Sequence, residues 1–241
     1  MRGLGTVANV AAIVAGGFLG ILLRSGLKER FQEILMQALG VATMFVGLSG
    51  ALRGLLVIEN GSLAVGGTML MIFSLAIGSL IGEWINIEAL LERFGEWLKR
   101  RFGGKNDSRF TEGFMAASLT VCVGAMAIVG SLEDGLTGNA STLYAKALID
   151  GVLLIVFAST YGKGAVFSAV PLGLWQGAIT LFAGIIAPFL TDAVISDLSY
   201  VGNVLIFCVG ANLALHTRFR VANMLPSLLC VAVYEAACIV F

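Results

Sequence analysis

The chain has 241 residues, of which 58% are hydrophobic and only 12% charged, and its mean hydropathy is +0.95. Soluble domains carry roughly 25% charged residues, so this composition excludes a globular protein with an ordinary solvated surface. The formal net charge is zero, which gives no reason to expect a nucleic-acid partner.

A membrane-crossing helix needs about 20 mostly apolar residues. Eight segments meet that need in chain order: 5–23, 34–56, 63–84, 111–131, 142–160, 164–190, 198–215 and 222–241. The connections are short except for 85–110. There, in "INIEALLERFGEWLKRRF", the apolar residues Ile87, Leu90, Leu91, Phe94, Trp97, Leu98 and Phe102 recur at helical spacing. Charges fill the other face, so 85–102 is predicted to be an amphipathic helix lying on the membrane surface. The predicted fold class is all-α. It is a polytopic transmembrane helical bundle of about eight spans, forming one domain over 1–241 in contact with the lipid bilayer.

Lys and Arg set the orientation. Twelve of the 15 fall on one alternating set of connections: Arg24, Lys28, Arg30, Arg93, Lys99, Arg100, Arg101, Lys105, Arg109, Lys163, Arg218 and Arg220. The other side keeps Arg2, Arg53 and Lys146, together with the acidic stretches "SLEDGLTGNAST" and "TDAVISD". The basic set is therefore predicted to be cytoplasmic, with both termini outside.

Two short pieces occur twice. "CVGA" appears in "VCVGAMA" at 121–127 and in "FCVGANLA" at 207–214. "GLGTVAN" at 3–9 shares Gly-x-Gly-x-Val with "GKGAVFS" at 162–168. In each case the two copies lie in spans of opposite direction, the pattern of an inverted repeat. Chance is the alternative in so Gly- and Ala-rich a chain, and the two echoes imply different offsets.

Inverted repeats place a site near the midplane, so polar residues inside the spans mark the candidates. Asp150, in "YAKALIDGVLLIVFAS", lies roughly 12 Å into its span at 1.5 Å per residue. A carboxylate at that depth costs several kcal/mol unless hydrated, paired or protonated. Lys146 is one helical turn away. Burial disfavours a charged Asp150 and Lys146 favours it, a balance suited to proton or cation exchange; a merely structural ion pair is the alternative. Glu235 is a second in-span acid. Asn9, Asn203, Asn212, Gln176 and Ser168 are in-span amides and a hydroxyl, each able to bridge helices or line a polar path. Pro171 and Gly173 are expected to break the sixth span and free carbonyls near Phe167. Gly78 and Gly82 form G-x-x-x-G, a close helix contact within one chain or between copies in a homo-oligomer.

Chemistry of other kinds finds no support. Cys122, Cys208, Cys230 and Cys238 lie in apolar runs without C-x-x-C spacing, and read as small buried hydrophobes. The single histidine, His216, sits beside Arg218 as a solvated flank. There is no Ser-His-Asp set, no H-E-x-x-H and no phosphate-binding loop. No catalytic residues, metal or cofactor are expected.

The stretches "GLGTVANVAAIVAGGFLG", "LMQALGVATMFVGLSGAL", "EGFMAASLTVCVGAMAIVGSLEDGL" and "AKALIDGVLLIVFASTYGKGAVFSAVPL" resemble the domain-of-unknown-function 554 family, bacterial integral membrane proteins of the YqgA/YdfK type. The resemblance covers nearly the whole chain, and "CVGAMAIVGSLEDG" is its most specific part. It implies the bacterial inner membrane and leaves function open. The residues themselves favour a small secondary transporter of a small solute or ion, with H+ or Na+ as the coupling ion. An oligomeric channel or pore and a non-transporting membrane scaffold are the alternatives.

Overall fold

A computed structural model describes residues 2–24, 29–59, 61–102, 109–122, 125–186 and 191–240. The order is α1 (Leu4–Arg24), α2 (Glu29–Leu55), β1 (Leu56–Glu59), β2 (Ser62–Val65), α3 (Thr68–Ile85), α4 (Ile87–Phe102), α5 (Phe110–Cys122), α6 (Ala125–Thr137), α7 (Ser141–Tyr161), α8 (Lys163–Val166), α9 (Ala169–Leu181), α10 (Ala183–Ile186), α11 (Asp192–Leu215), α12 (Val221–Met224) and α13 (Pro226–Val240). Among the described residues, five segments are long and apolar enough to cross a membrane: α1, α3, α7, α8 with α9, and α11. The pair α5 and α6, bent by 61°, makes a sixth if it is one span. Shorter apolar helices cover Gly40–Leu55 and Val221–Tyr234.

Three departures from expectation have local causes. The span expected from 63 starts at Thr68, because Ser62–Val65 pairs antiparallel with Leu56–Glu59, from Leu56 opposite Val65 to Glu59 opposite Ser62. Asn-Gly stands between the strands, the strongest short hairpin signal, but the apolar flanks disguise it as span ends. The acidic stretch after residue 131, expected as a loop, is helical to Thr137. The interruption of the sixth span lies at Phe167–Ser168, upstream of Pro171 and Gly173. There the N–H groups of Phe167, Ser168 and Val170 each reach back three residues rather than four. Pro171 sits in the first turn of α9, where a missing N–H costs little, and Phe167 O accepts from Val170.

The chain divides into two compact units. One comprises Met1–Leu39, Leu90–Cys122 and Met126–Ala187; the other comprises Gly40–Ala89, Val123–Ala125 and Pro188–Phe241.

In the first unit α1 and α7 run side by side in the same direction. Gly5 meets Ala140 and Leu143, Gly16 meets Gly151, and Gly20 meets Ile155 and Ala158. Gly5, Asn9, Ile13, Gly16 and Gly20 recur every three or four residues and so form one stripe of α1. In α7 the buried stripe is Leu143, Lys146, Ala147, Asp150, Leu154, Phe157, Ala158 and Tyr161. In a bilayer such pairs gain from close backbone packing rather than from hydrophobic burial, which is why small residues hold the seam. α9 lies against α1 in the opposite direction, with Gly173 beside Val10 and Gln176 beside Asn9. The amphipathic helix α4 packs Phe94 and Leu98 on Phe110 and Phe114 of α5, with the Phe94 and Phe114 rings edge-on at 5.7 Å. Leu90 and Trp97 remain about half exposed, at 52% each.

In the second unit Gly40, Gly47, Gly50 and Gly54 of α2 meet Ala214, Phe207, Asn203 and Tyr200 of α11 in reverse order, so these helices are antiparallel. Gly78 and Gly82 of α3 press on the backbone of Ser227 and Asn223. The G-x-x-x-G face is thus used within the chain. Glu83 pairs with Arg220 and accepts from Asn223 Nδ2 at 2.7 Å.

Candidate functional site

The first unit brings four polar side chains from three helices together in its interior. Lys146 Nζ donates to Asp150 Oδ1 at 2.9 Å and lies 2.8 Å from Oδ2. Asn9 Nδ2 donates to Asp150 Oδ2 at 3.0 Å and to Gln176 Oε1 at 3.4 Å. Asp150 is 2% exposed and Lys146 7%, while Asn9 and Gln176 are fully buried. The i, i+4 spacing puts Lys146 and Asp150 on one face of α7, and the glycine seam lets α1 approach until Asn9 reaches the carboxylate.

The charges fix the amide orientations. A carboxylate facing Asn9 must meet its N–H2 and not its carbonyl, so Asn9 Oδ1 turns away. Asn9 then donates its second hydrogen to Gln176 Oε1, which directs Gln176 Nε2 away from Asn9. Among the described residues Asn9 Oδ1 and Gln176 Nε2 have no hydrogen-bond partner, and neither do the hydroxyls of Thr6 and Thr180. Buried polar atoms without partners cost about 1–3 kcal/mol each, and four in one place need a reason.

Thr6 is three residues before Asn9 on α1, and Thr180 four residues after Gln176 on α9. Each hydroxyl therefore lies on the same helix face as its amide. Both threonines line an open cleft of about 770 Å³, with Arg2, Gly3, Val7, Gly135, Leu136, Gly177, Leu181 and Gly184. A Cβ on Gly177 of α9 or Gly184 of α10 would meet nothing within 4 Å, so this wall of the cleft is open because those positions carry no side chain.

Asp134 of α6 closes the same end. It is fully buried and accepts from the N–H groups of Gly3 at 3.0 Å and Gly5 at 2.9 Å. It satisfies the orphan donors at the start of α1 and suits the positive end of that helix dipole. Gly3 takes φ 89 there, a conformation that favours glycine.

The profile of the family described as Protein of unknown function (DUF554) matches residues 4–236. The chain belongs to this family. The uncharacterized membrane protein YdfK of Bacillus subtilis (strain 168) is 35% identical over 225 residues, covering 93% of this chain and 92% of that protein. The uncharacterized protein YqgA of Escherichia coli (strain K12) is 28% identical over 239 residues, covering 97% of each. No solved structure matches the chain. With the apolar helices above, these relatives make the chain a membrane protein.

In this DUF554 chain the other expected residues make no hydrogen bond to the network among the described residues. Ser168 is fully buried at the turn between α8 and α9, and its Oγ has no partner among the described residues. Asn203 belongs to the second unit and donates one turn back to Ser199 O at 2.7 Å. Asn212, also there, shapes the loop after α11: Oδ1 accepts from Thr217 and from Phe219 N–H, and Nδ2 donates to Phe219 O. The side chain of Glu235 lies outside the described residues, as do Val123 and Gly124 of the first "CVGA" copy. His216 is exposed and ends α11 at φ 52. Sequence reasoning missed Thr6, Thr180 and Asp134. The two threonines carried a signal, their spacing to Asn9 and Gln176; Asp134 carried none, because its partners are about 130 positions away.

Proposed function

We propose that this chain is a small secondary transporter of a small solute or ion, with H+ or Na+ as the coupling ion, and that the network around Asp150 is its site. One observation carries the reading: a buried ion pair tied to two buried amides that keep unpartnered polar atoms, one helical turn from two threonines that line an open cleft. Ionisable groups among membrane helices are expensive, and they persist where a substrate or ion passes. A packing role alone would be met as well by apolar side chains of similar volume. The amides and hydroxyls supply what a solute leaving water must replace, its hydrogen bonds.

Eight crossings with both termini on one side of the membrane agree with the helix directions, and the bias of Lys and Arg makes that side the outside. Alternate crossings make α1 and α7 parallel, and make α1 with α9, α2 with α11, and α3 with α13 antiparallel, as they run. An inverted repeat draws support from Gly3 and Gly162. Each stands at positive φ immediately before a helix, with values of 89 and 81, at matching positions of the Gly-x-Gly-x-Val echo.

The test is uptake by proteoliposomes of solutes first selected by thermal shift. A ligand of the native state alone raises stability by roughly 2.7 kcal/mol at 100 times its dissociation constant. Saturable uptake that is lost in Gly177→Leu, with melting unchanged, is the result expected. Ohmic current across a bilayer, or selected ligands that are never taken up, would contradict it.

A further inference from the structure

We infer, resting on the transport reading above, that the solute accepted at this site is a small uncharged polar molecule carrying a hydrogen-bond donor beside an acceptor, rather than a lone ion. Charge comes first. Lys146 and Asp150 neutralise each other within 2.9 Å. At the cleft the charged lining residue is Arg2, and Asp134, buried under Gly3 and Gly5, brings the opposite sign to the same end. Around the amides the ion pair leaves no net charge to hold an ion against its hydration, and an ion in low dielectric needs an opposite charge.

Hydrogen-bonding capacity comes second. The carboxylate fixes Asn9, and Asn9 fixes Gln176, so the free atoms are one carbonyl oxygen and one amide nitrogen with hydrogens to give. A carboxamide, a urea or a vicinal diol presents the matching pair. The hydroxyls of Thr6 and Thr180 donate or accept as required; each lies one helical turn from its amide, and both residues line the cleft. A bare cation would find one acceptor carbonyl facing an amide donor that repels it. An anion would meet the reverse.

Counterflow into proteoliposomes of the full chain tests this, with labelled malonamide and erythritol as neutral probes and labelled Rb+ and acetate, neither of them a proposed coupling ion, as ionic ones. At least one neutral probe is expected to exchange tenfold faster than in protein-free vesicles, with neither ion doing so. Thr6→Val and Thr180→Val remove hydroxyls that have no partner among the described residues while keeping shape. Each is expected to leave melting unchanged or raised, and to slow the neutral counterflow about tenfold. Exchange of an ion but of no neutral probe overturns the substrate class and leaves transport standing. Exchange of no probe overturns transport and the substrate class with it. Valine variants that exchange at the wild-type rate overturn the placement of the solute between the two threonines.

Discussion

Gly16 of α1 faces the carbonyl oxygen of Gly151 of α7 so closely that a Cβ on Gly16 would fall inside van der Waals contact with that backbone. Gly151 follows Asp150 directly. The crossing of two glycines therefore sets the distance at which Asn9, two turns nearer the α1 N-terminus, meets the carboxylate.

Bulk at Gly16 is expected to spread this seam. Overpacking a tight contact costs roughly 1–3 kcal/mol, and here the obstacle is backbone that cannot rotate aside. Gly16→Leu should lower the melting temperature of the purified protein and abolish uptake. Gly177→Leu, in the open α9 wall, should abolish uptake alone. Equal melting of the two variants would separate the glycine seam from the integrity of the site.

Removing the Asp134 carboxylate should loosen the start of α1. Asp134→Ala strips two charge-assisted bonds from the N–H groups of Gly3 and Gly5, worth about 1–2 kcal/mol by the behaviour of helix caps. Melting should fall accordingly. Asp134→Asn keeps one accepting oxygen and should fall less. Hydrogen exchange at Gly5 measures the local effect, and an unchanged rate in Asp134→Ala would contradict the capping role.

The apolar helices α1, α3, α7, α8 with α9, and α11 were legible because length and hydropathy alone decide them. The Lys146–Asp150 pair was legible because i, i+4 spacing is local. The convergence of Asn9 and Gln176 on that pair was not, since it depends on which faces of α1 and α9 meet α7. The stripe Gly5, Asn9, Gly16, Gly20 did carry a hint, an amide placed among residues small enough for close approach. Asn203 and Asn212 looked like site residues for the same reason as Asn9, being amides in apolar runs, yet both are satisfied by backbone within seven residues. The hairpin at 56–65 was masked by strands as apolar as the helices beside them.

Orientation can be read directly. In a background without the native cysteines, Asn139→Cys and Arg101→Cys put exposed thiols after α6 and at the end of α4. A membrane-impermeant maleimide added to whole cells should label position 139 and miss 101 until the membrane is opened. The reverse pattern would invert the topology and place the cleft on the cytoplasmic side.

The decisive measurement is a double-mutant comparison at Asp150 and Lys146, reading melting and solute flux on the same preparations. Asp150→Asn leaves the Lys146 ammonium buried without its carboxylate, a loss of about 3–5 kcal/mol when one partner of a buried pair is removed. Adding Lys146→Met removes the stranded charge, so melting should recover. Flux should not recover, because the carboxylate that orients Asn9, and that is proposed to exchange the coupling ion, is still absent. A double variant that melts like wild type and moves solute at the wild-type rate would contradict the account, and would leave Asp150 as one half of a structural ion pair.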